Sequence, residues 1–216
     1  MMIPVIIFLG APGAGKGTQA VFLSRTKGIP KISTGDMLRR AVEQESELGK
    51  RVKSIMAEGK LVDDEIMLSL IKERIVMQDC SQGFILDGYP RNIHQAAQLE
   101  QVLLPGMQMR VIDIHVAEDD IVKRVAGRRV CPKCQTNYNV YFHPSKKEGV
   151  CDHDGADLFR RQDDDEEVVR MRISTYKKES YPLVEHYRRK GVLQIVNGVQ
   201  KEEEVTNAIL QQVACQ

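Results

Sequence analysis

An apolar run from Val5 to Leu9 leads into Gly10-Ala11-Pro12-Gly13-Ala14-Gly15-Lys16-Gly17-Thr18, and a helix-compatible stretch begins at Lys16. No other feature limits the fold of this chain as strongly. The segment matches G-x-x-x-x-G-K, with Gly17 where many such loops carry Ser or Thr and Thr18 directly behind it. Gly10, Gly13, Gly15 and Gly17 permit backbone conformations closed to other residues and let amides approach an anion closely. Those N–H groups, with a helix N-terminus behind them, form a concave nest for phosphate. Lys16 sets a positive charge against the outer phosphates of a nucleotide. A plain glycine-rich turn with an exposed Lys would not require strand, loop, Lys and Thr together.

Further short apolar runs lie at Gly83 to Leu86, Val111 to Val116 and Val192 to Val196, with a shorter candidate at Ile29 to Ser33. Such runs suit strands covered on both faces, as in a parallel sheet. Met67, Leu70, Ile71, Arg74 and Ile75 fall at helical spacing behind the acidic start Asp63-Asp64-Glu65. Val205, Ile209 and Val213 predict a closing helix. Alternating strands and helices predict an α/β fold with a parallel sheet. Two stretches break the rhythm: residues 34–62, polar and helix-rich, and residues 127–164, rich in Gly, Pro and Cys. Both read as insertions on a sheet scaffold.

Asp87 closes an apolar strand, which predicts its carboxylate at the sheet edge beside the phosphate loop. An acid there can hold Mg²⁺ through water. Arg91 follows four residues later, after the turn formers Gly88 and Pro90, and can fork onto phosphate oxygens.

At this point the chain resembles the adenylate kinase family, of the long-lid, zinc-containing bacterial type. The resemblance runs over essentially the whole chain, through GAPGAGKGT, STGDMLRR, GKLV, GFILDGYPRN with Gln95, GRRVCPKC and RRQDDDEE. It implies the reaction ATP + AMP = 2 ADP with Mg²⁺. It implies a P-loop nucleoside triphosphate hydrolase-like core with a five-stranded parallel sheet flanked by helices. That core would be residues 1–32, 63–126 and 165–216, with an AMP-binding insertion at 33–62 and a zinc-binding lid at 127–164.

By the same resemblance the ATP side is Gly13, Ala14, Gly15, Lys16, Gly17, Thr18, Arg128, Asn137, Tyr138 and Gln200, the last through its backbone carbonyl. The AMP side is Thr34, Arg39, Lys60, Leu61, Val62, Gly88, Tyr89, Pro90, Arg91, Gln95, Arg161 and Arg172. Thr34 and Gln95 carry the groups an adenine edge requires. Lys16, Arg91, Arg124, Arg128, Arg161 and Arg172 form the catalytic set. Two nucleotides together concentrate negative charge, so the transfer needs cations at close range and no covalent intermediate.

Cys131 and Cys134 form C-P-K-C, and sixteen residues separate Cys134 from Cys151 in Cys151-Asp152-His153-Asp154. Paired ligands two residues apart, divided by a long loop, match a tetrahedral zinc ribbon. Asp154 has the matching gap for the fourth ligand; His153 is a chemically sound alternative, with Asp152 and His143 behind it. Four protein ligands leave no open position, so the metal is expected to be structural. Cys80 and Cys215 read as bystanders.

Composition removes rival classes. Lys plus Arg number 31 against 30 for Asp plus Glu, a net charge of +1, and aromatics are 5% with no Trp. That speaks against a zinc-ribbon nucleic-acid binder. No run reaches a membrane span, and the start lacks the basic leader of a signal peptide. A cytoplasmic protein is therefore expected, and the resemblance implies a monomer acting on ATP, AMP and ADP. The alternatives are a GTP:AMP phosphotransferase or another nucleoside monophosphate kinase.

Overall fold

The computed structural model describes residues 2–214; Cys215 lies outside them. In chain order the first half contains β1 (Ile3–Leu9), α1 (Lys16–Lys27), β2 (Lys31–Ser33), α2 (Thr34–Glu43), α3 (Glu47–Ala57), α4 (Asp64–Ile75), β3 (Phe84–Asp87) and α5 (Ile93–Val102). The second half contains β4 (Met107–His115), α6 (Glu118–Ala126), β5 (Arg128–Val130), β6 (Asn137–Asn139), α7 (Glu166–Thr175), α8 (Pro182–Arg189), β7 (Leu193–Asn197) and α9 (Glu202–Ala214).

Five strands form one parallel sheet in the order β2-β3-β1-β4-β7. The central strand is apolar at every position from Val5 to Leu9 because helices cover both faces. Val5, Ile7 and Leu9 point to a cluster built with Met67 and Ile71 of α4, Ala96 and Leu99 of α5, and Leu183 and Tyr187 of α8. Ile6 and Phe8 point the other way, to Ala20 and Leu23 of α1, Val125 of α6, Ile173 of α7 and Ile209 of α9. The edge strand β7 departs from the two-faced expectation: Ile195 is 54% exposed. It has one strand neighbour, β4, and helices do not cover its whole length. β4 also starts earlier than its apolar run, with Met107 to Arg110 only partly buried.

Local signals set the helix ends. Asp63 caps α4 by accepting from the amides of Glu65 and Ile66. Ser33 and Ser46 cap α2 and α3 in the same way, through Asp36 N–H and Gly49 N–H. α2 and α3 pack so closely that a Cβ on Gly49 would lie 2.0 Å from the Ala41 carbonyl oxygen. Residues 127–164 carry the antiparallel pair β5–β6, with isolated bridges Val130–Phe159 and Val150–Asp157. A π-helical turn, Tyr176–Ser180, joins α7 to α8. No helix among the described residues is long and apolar enough to cross a membrane.

Candidate active site

The phosphate loop sits at the C-terminal end of β1 and opens α1. Gly15 caps that helix at φ 103°, a left-handed conformation that a side chain resists. Gly17 differs from the expectation. It lies inside α1 without a positive φ, so what it supplies is space. A Cβ there would stand 3.3 Å from Asp87 Oδ2. The end of β3 thus reaches the first turn of α1. Lys16 Nζ donates to the carbonyls of Gly10 at 2.7 Å and Ala11 at 2.9 Å, bridging the mouth of its own loop. Burial brings its pKa down to about 8; Asp87 opposes the shift, while Arg91 and Arg172 add to it.

Next to this loop, Gly88 organises a second group. Thr34 Oγ1 donates to its carbonyl at 2.9 Å and Arg91 Nε donates to the same oxygen at 2.8 Å. Gly88 has φ 87°, and a Cβ would meet Thr34 Oγ1 at 3.0 Å, so this corner fits glycine alone. Gln95 Oε1 accepts from Arg91 N–H at 2.8 Å, and Gln95 Nε2 donates to Asp64 Oδ1 at 2.7 Å. Asp64 also accepts from Asn92 and pairs with His94. Burial raises the Asp64 pKa, but the hydrogen bonds from His94, Asn92 and Gln95 outweigh it and leave it lowered.

Two cavities meet here. A cleft of about 720 Å³ is lined by the phosphate loop, Asp87, Arg124, Arg128, Asn137 and Gln200. A smaller cavity of about 50 Å³ is lined by Thr34, Leu38, Met56, Val62, Met67 and Gln95. Gly35, Arg39, Gly88, Arg91 and Arg172 line both. This shared wall is cationic and strained electrostatically. Burial lowers Arg91, and burial with neighbouring guanidiniums takes Arg161 and Arg172 down to about 10. Acids partly compensate. Arg172 donates to Asp163 Oδ2 at 2.9 Å, and Arg39 lies 3.6 Å from the same carboxylate. Burial also depresses Arg128, yet its forked bond to the fully buried Asp164 more than offsets that and raises it.

Most residues singled out from sequence line one cavity or the other. Gly13 to Thr18, Asp87, Arg124, Arg128, Asn137, Tyr138, Arg161 and Gln200 line the cleft. Thr34, Lys60, Leu61, Val62 and Gln95 line the small cavity. Arg161 reaches only the cleft side. Tyr89 and Pro90 line neither: Tyr89 is buried in the core with its hydroxyl 3.4 Å from the Gln95 carbonyl oxygen, and the two residues carry the turn between Gly88 and Arg91. Lys60 turns its ammonium out to Glu58. Sequence reasoning passed over Lys31, Asp36, Leu38, Met56, Asp64, Met67 and Asp163. Met67 read as one position of an apolar helix stripe, Leu38 and Met56 fell in a stretch read as polar, and the acids gave no spacing signal.

The insertion at 127–164 gathers Cys131, Cys134, Cys151 and Asp154, whose ligand atoms all lie within 4.8 Å of one another. Zinc bonds of about 2.3 Å to sulfur and about 2.0 Å to oxygen put tetrahedral ligands roughly 3.5–3.8 Å apart. Cys134 Sγ to Cys151 Sγ is 3.5 Å, and Cys131 Sγ to the Asp154 oxygens is 3.2 and 3.3 Å. The cluster could hold a metal ion. It uses Asp154; His153, Asp152 and His143 stand outside it.

A phosphate loop on a parallel sheet, opening into two cavities with a common cationic wall, suits a P-loop protein that moves a phosphate group between two anionic substrates. Comparison with known proteins narrows this class. The family model described as adenylate kinase matches residues 8–192. A relative named adenylate kinase from Thermodesulfovibrio yellowstonii is 48% identical over 207 residues, covering 94% of this chain and 96% of its own length. One from Archaeoglobus fulgidus is 47% identical over 206 residues, covering 94% and 95%. One from Caldicellulosiruptor saccharolyticus is 46% identical over 207 residues, covering 95% and 96%. The chain belongs to the adenylate kinase family, enzymes that transfer a phosphate group between adenine nucleotides.

Proposed function

We propose that the larger cleft takes ATP, the smaller cavity takes AMP, and the γ-phosphate passes between them at the wall of Arg39, Arg91 and Arg172. The observation that carries this reading is that one set of cations lines both cavities. A phosphoryl group in flight spreads charge over its oxygens, and fixed guanidiniums stabilise that charge without reorganising. In this reading the loop amides and Lys16 hold the donor phosphates. Lys16 exchanges its two carbonyl acceptors for phosphate oxygens, which restores the charge that burial disfavours. Arg39 and Arg91 hold the acceptor phosphate. Leu38, Met56, Val62 and Met67 offer the adenine ring an apolar slot. Gln95 reaches the base edge by giving up one of its two protein partners.

Asp87 and Thr18 suit Mg²⁺, since oxygen donors beside the loop match a hard cation. Asn137 Oδ1, buried without a partner, adds an unsatisfied acceptor on the lid side of the cleft. An ion held near Asp87 and Thr18 would supply positive charge to the donor phosphates. Cys131, Cys134, Cys151 and Asp154 would hold a structural zinc ion, which fixes the fold of the 127–164 lid and leaves no ligand position for chemistry. Arg128 and Arg161 then come down with the lid toward Arg124 of α6, and water is kept from the γ-phosphate. A Cys-rich metal site with reduced thiols suits a cytoplasmic enzyme, and one chain carries both cavities, as a monomer requires.

Purified protein with ATP, Mg²⁺ and AMP should form ADP only when AMP is present. Lys16→Ala should cut kcat by about 10²- to 10³-fold with an unchanged melting temperature. Equal ADP formation without AMP would overturn the reading, and equal turnover with GTP would overturn ATP as donor.

A further inference from the structure

Lys31 belongs to no motif recognised in the sequence, yet it lines the cleft beside Asp87. β2 turns Ile32 into the core and leaves Lys31 and Ser33 on the cleft side. The Lys31 ammonium is 3.5 Å from Asp87 Oδ2 and 3.6 Å from Asp36 Oδ2, and all three side chains are largely shielded. A Cβ on Gly17 would lie 3.3 Å from Asp87 Oδ2 and 3.7 Å from Lys31 Nζ. The ammonium and the carboxylate therefore share the place beside the phosphate loop where a divalent cation would sit. Lys31 is the one ion-pair partner of Asp87 among the described residues.

Both contacts are longer than a direct hydrogen bond, so the ammonium is divided between two acids and committed to neither. Asp36 is a stable second station. Burial alone would raise its pKa, but Arg39 and Lys31 hold it well below the usual carboxylate range. A dication at Asp87 and the Lys31 ammonium repel each other at such range, in a site where screening by water is weak.

We propose that Lys31 is a positioning residue that occupies Asp87 when no metal is bound, competes with Mg²⁺ for that carboxylate, and withdraws to Asp36 when the ion arrives. This rests on the functional reading above. It adds that the Mg²⁺ demand of this enzyme is set by an internal cation. Lys31 keeps Asp87 aimed and neutralised, and raises the Mg²⁺ concentration needed to load the site.

The test uses the full-length protein with Mg²⁺ as the probe. Mg²⁺ is titrated calorimetrically into the ADP-saturated protein, and half-saturating free Mg²⁺ is measured separately in the transfer assay. Lys31→Gln should lower both values by about five- to tenfold, since tenfold corresponds to roughly one charge contact at partial exposure. Lys31→Arg, which restores the charge, should return them to the wild-type level. Asp36→Asn, which removes the second station, should raise them. This opposite shift also serves if Lys31→Gln proves unstable. Unshifted values in a folded Lys31→Gln protein would overturn the proposal, and so would weaker Mg²⁺ binding, which would place Lys31 on the phosphates. Absence of AMP-dependent transfer in the wild-type protein would instead sink the functional reading, while the calorimetric comparison still judges Lys31.

Discussion

Helices α2 and α3 place Leu38 and Val52 in the same apolar cluster as Val5, Ile7 and Leu86 of the sheet, with Val42, Leu48 and Ile55 packed against it. Residues 127–164 have a separate cluster of Cys131, Tyr138 and Cys151, bordered by Cys134, Ala156 and Leu158. The α2–α3 segment therefore extends the main core, and residues 127–164 have too little apolar surface to hold themselves together. In the second, half of the interior consists of thiol side chains. A metal ion suits that position because it replaces the burial that a segment of this size cannot supply.

The contrast can be broken most sharply at the metal site. Cys134→Ser, or verified metal removal, should destabilise residues 127–164 by about 3 kcal/mol or more. Amide exchange should rise in that segment while α2 and α3 keep their protection. Unchanged exchange after metal loss would erase the distinction. A smaller effect tests the other half. Val52 is fully buried, so Val52→Ala should cost about 2 kcal/mol. Because its cluster continues into the sheet, the whole-protein melting transition should fall; loosening confined to α2 and α3 would show an independent unit instead.

The mildest effect compares the two cavities. Lys16, on the cleft side, has its pKa lowered by burial to about 8. Nucleotide phosphates would restore its proton, so binding takes up protons above that pH. ATP affinity should then fall by about five- to tenfold between about pH 7.5 and pH 9. AMP affinity rests on arginines, which keep their charge across this window, and should stay flat. Isothermal titration in buffers of different ionisation enthalpy reads both the affinity and the proton uptake. An equal slope for AMP would show that the cavities do not divide as proposed.

Legibility in the sequence followed how local the cause was. The loop from Gly10 to Thr18 and the Cys131–Asp154 spacing were readable because backbone freedom and ligand geometry act over a few residues. Asp63 as a helix start and the alternation of strands with helices were readable for the same reason. Harder positions owed their role to distant neighbours. Gln95 looked like a base-contacting amide, but Arg91 N–H and Asp64 hold both its ends. Tyr89 looked like a site residue and is buried beneath the turn. Met67 read as one position of an apolar helix stripe, and it lines a cavity with Leu38 and Met56.

By itself the sequence determined the scaffold: a strand that must be buried on both faces, a glycine-rich turn at its end, and cysteines whose spacing suits one metal ion. Only the tertiary structure decided that Arg39, Arg91 and Arg172 form one wall between two cavities, and that Lys31 lies between Asp36 and Asp87. Charges act through space over several ångströms in a shielded cleft, and residues far apart in the chain meet there because the sheet order places β2 and β3 beside the loop after β1.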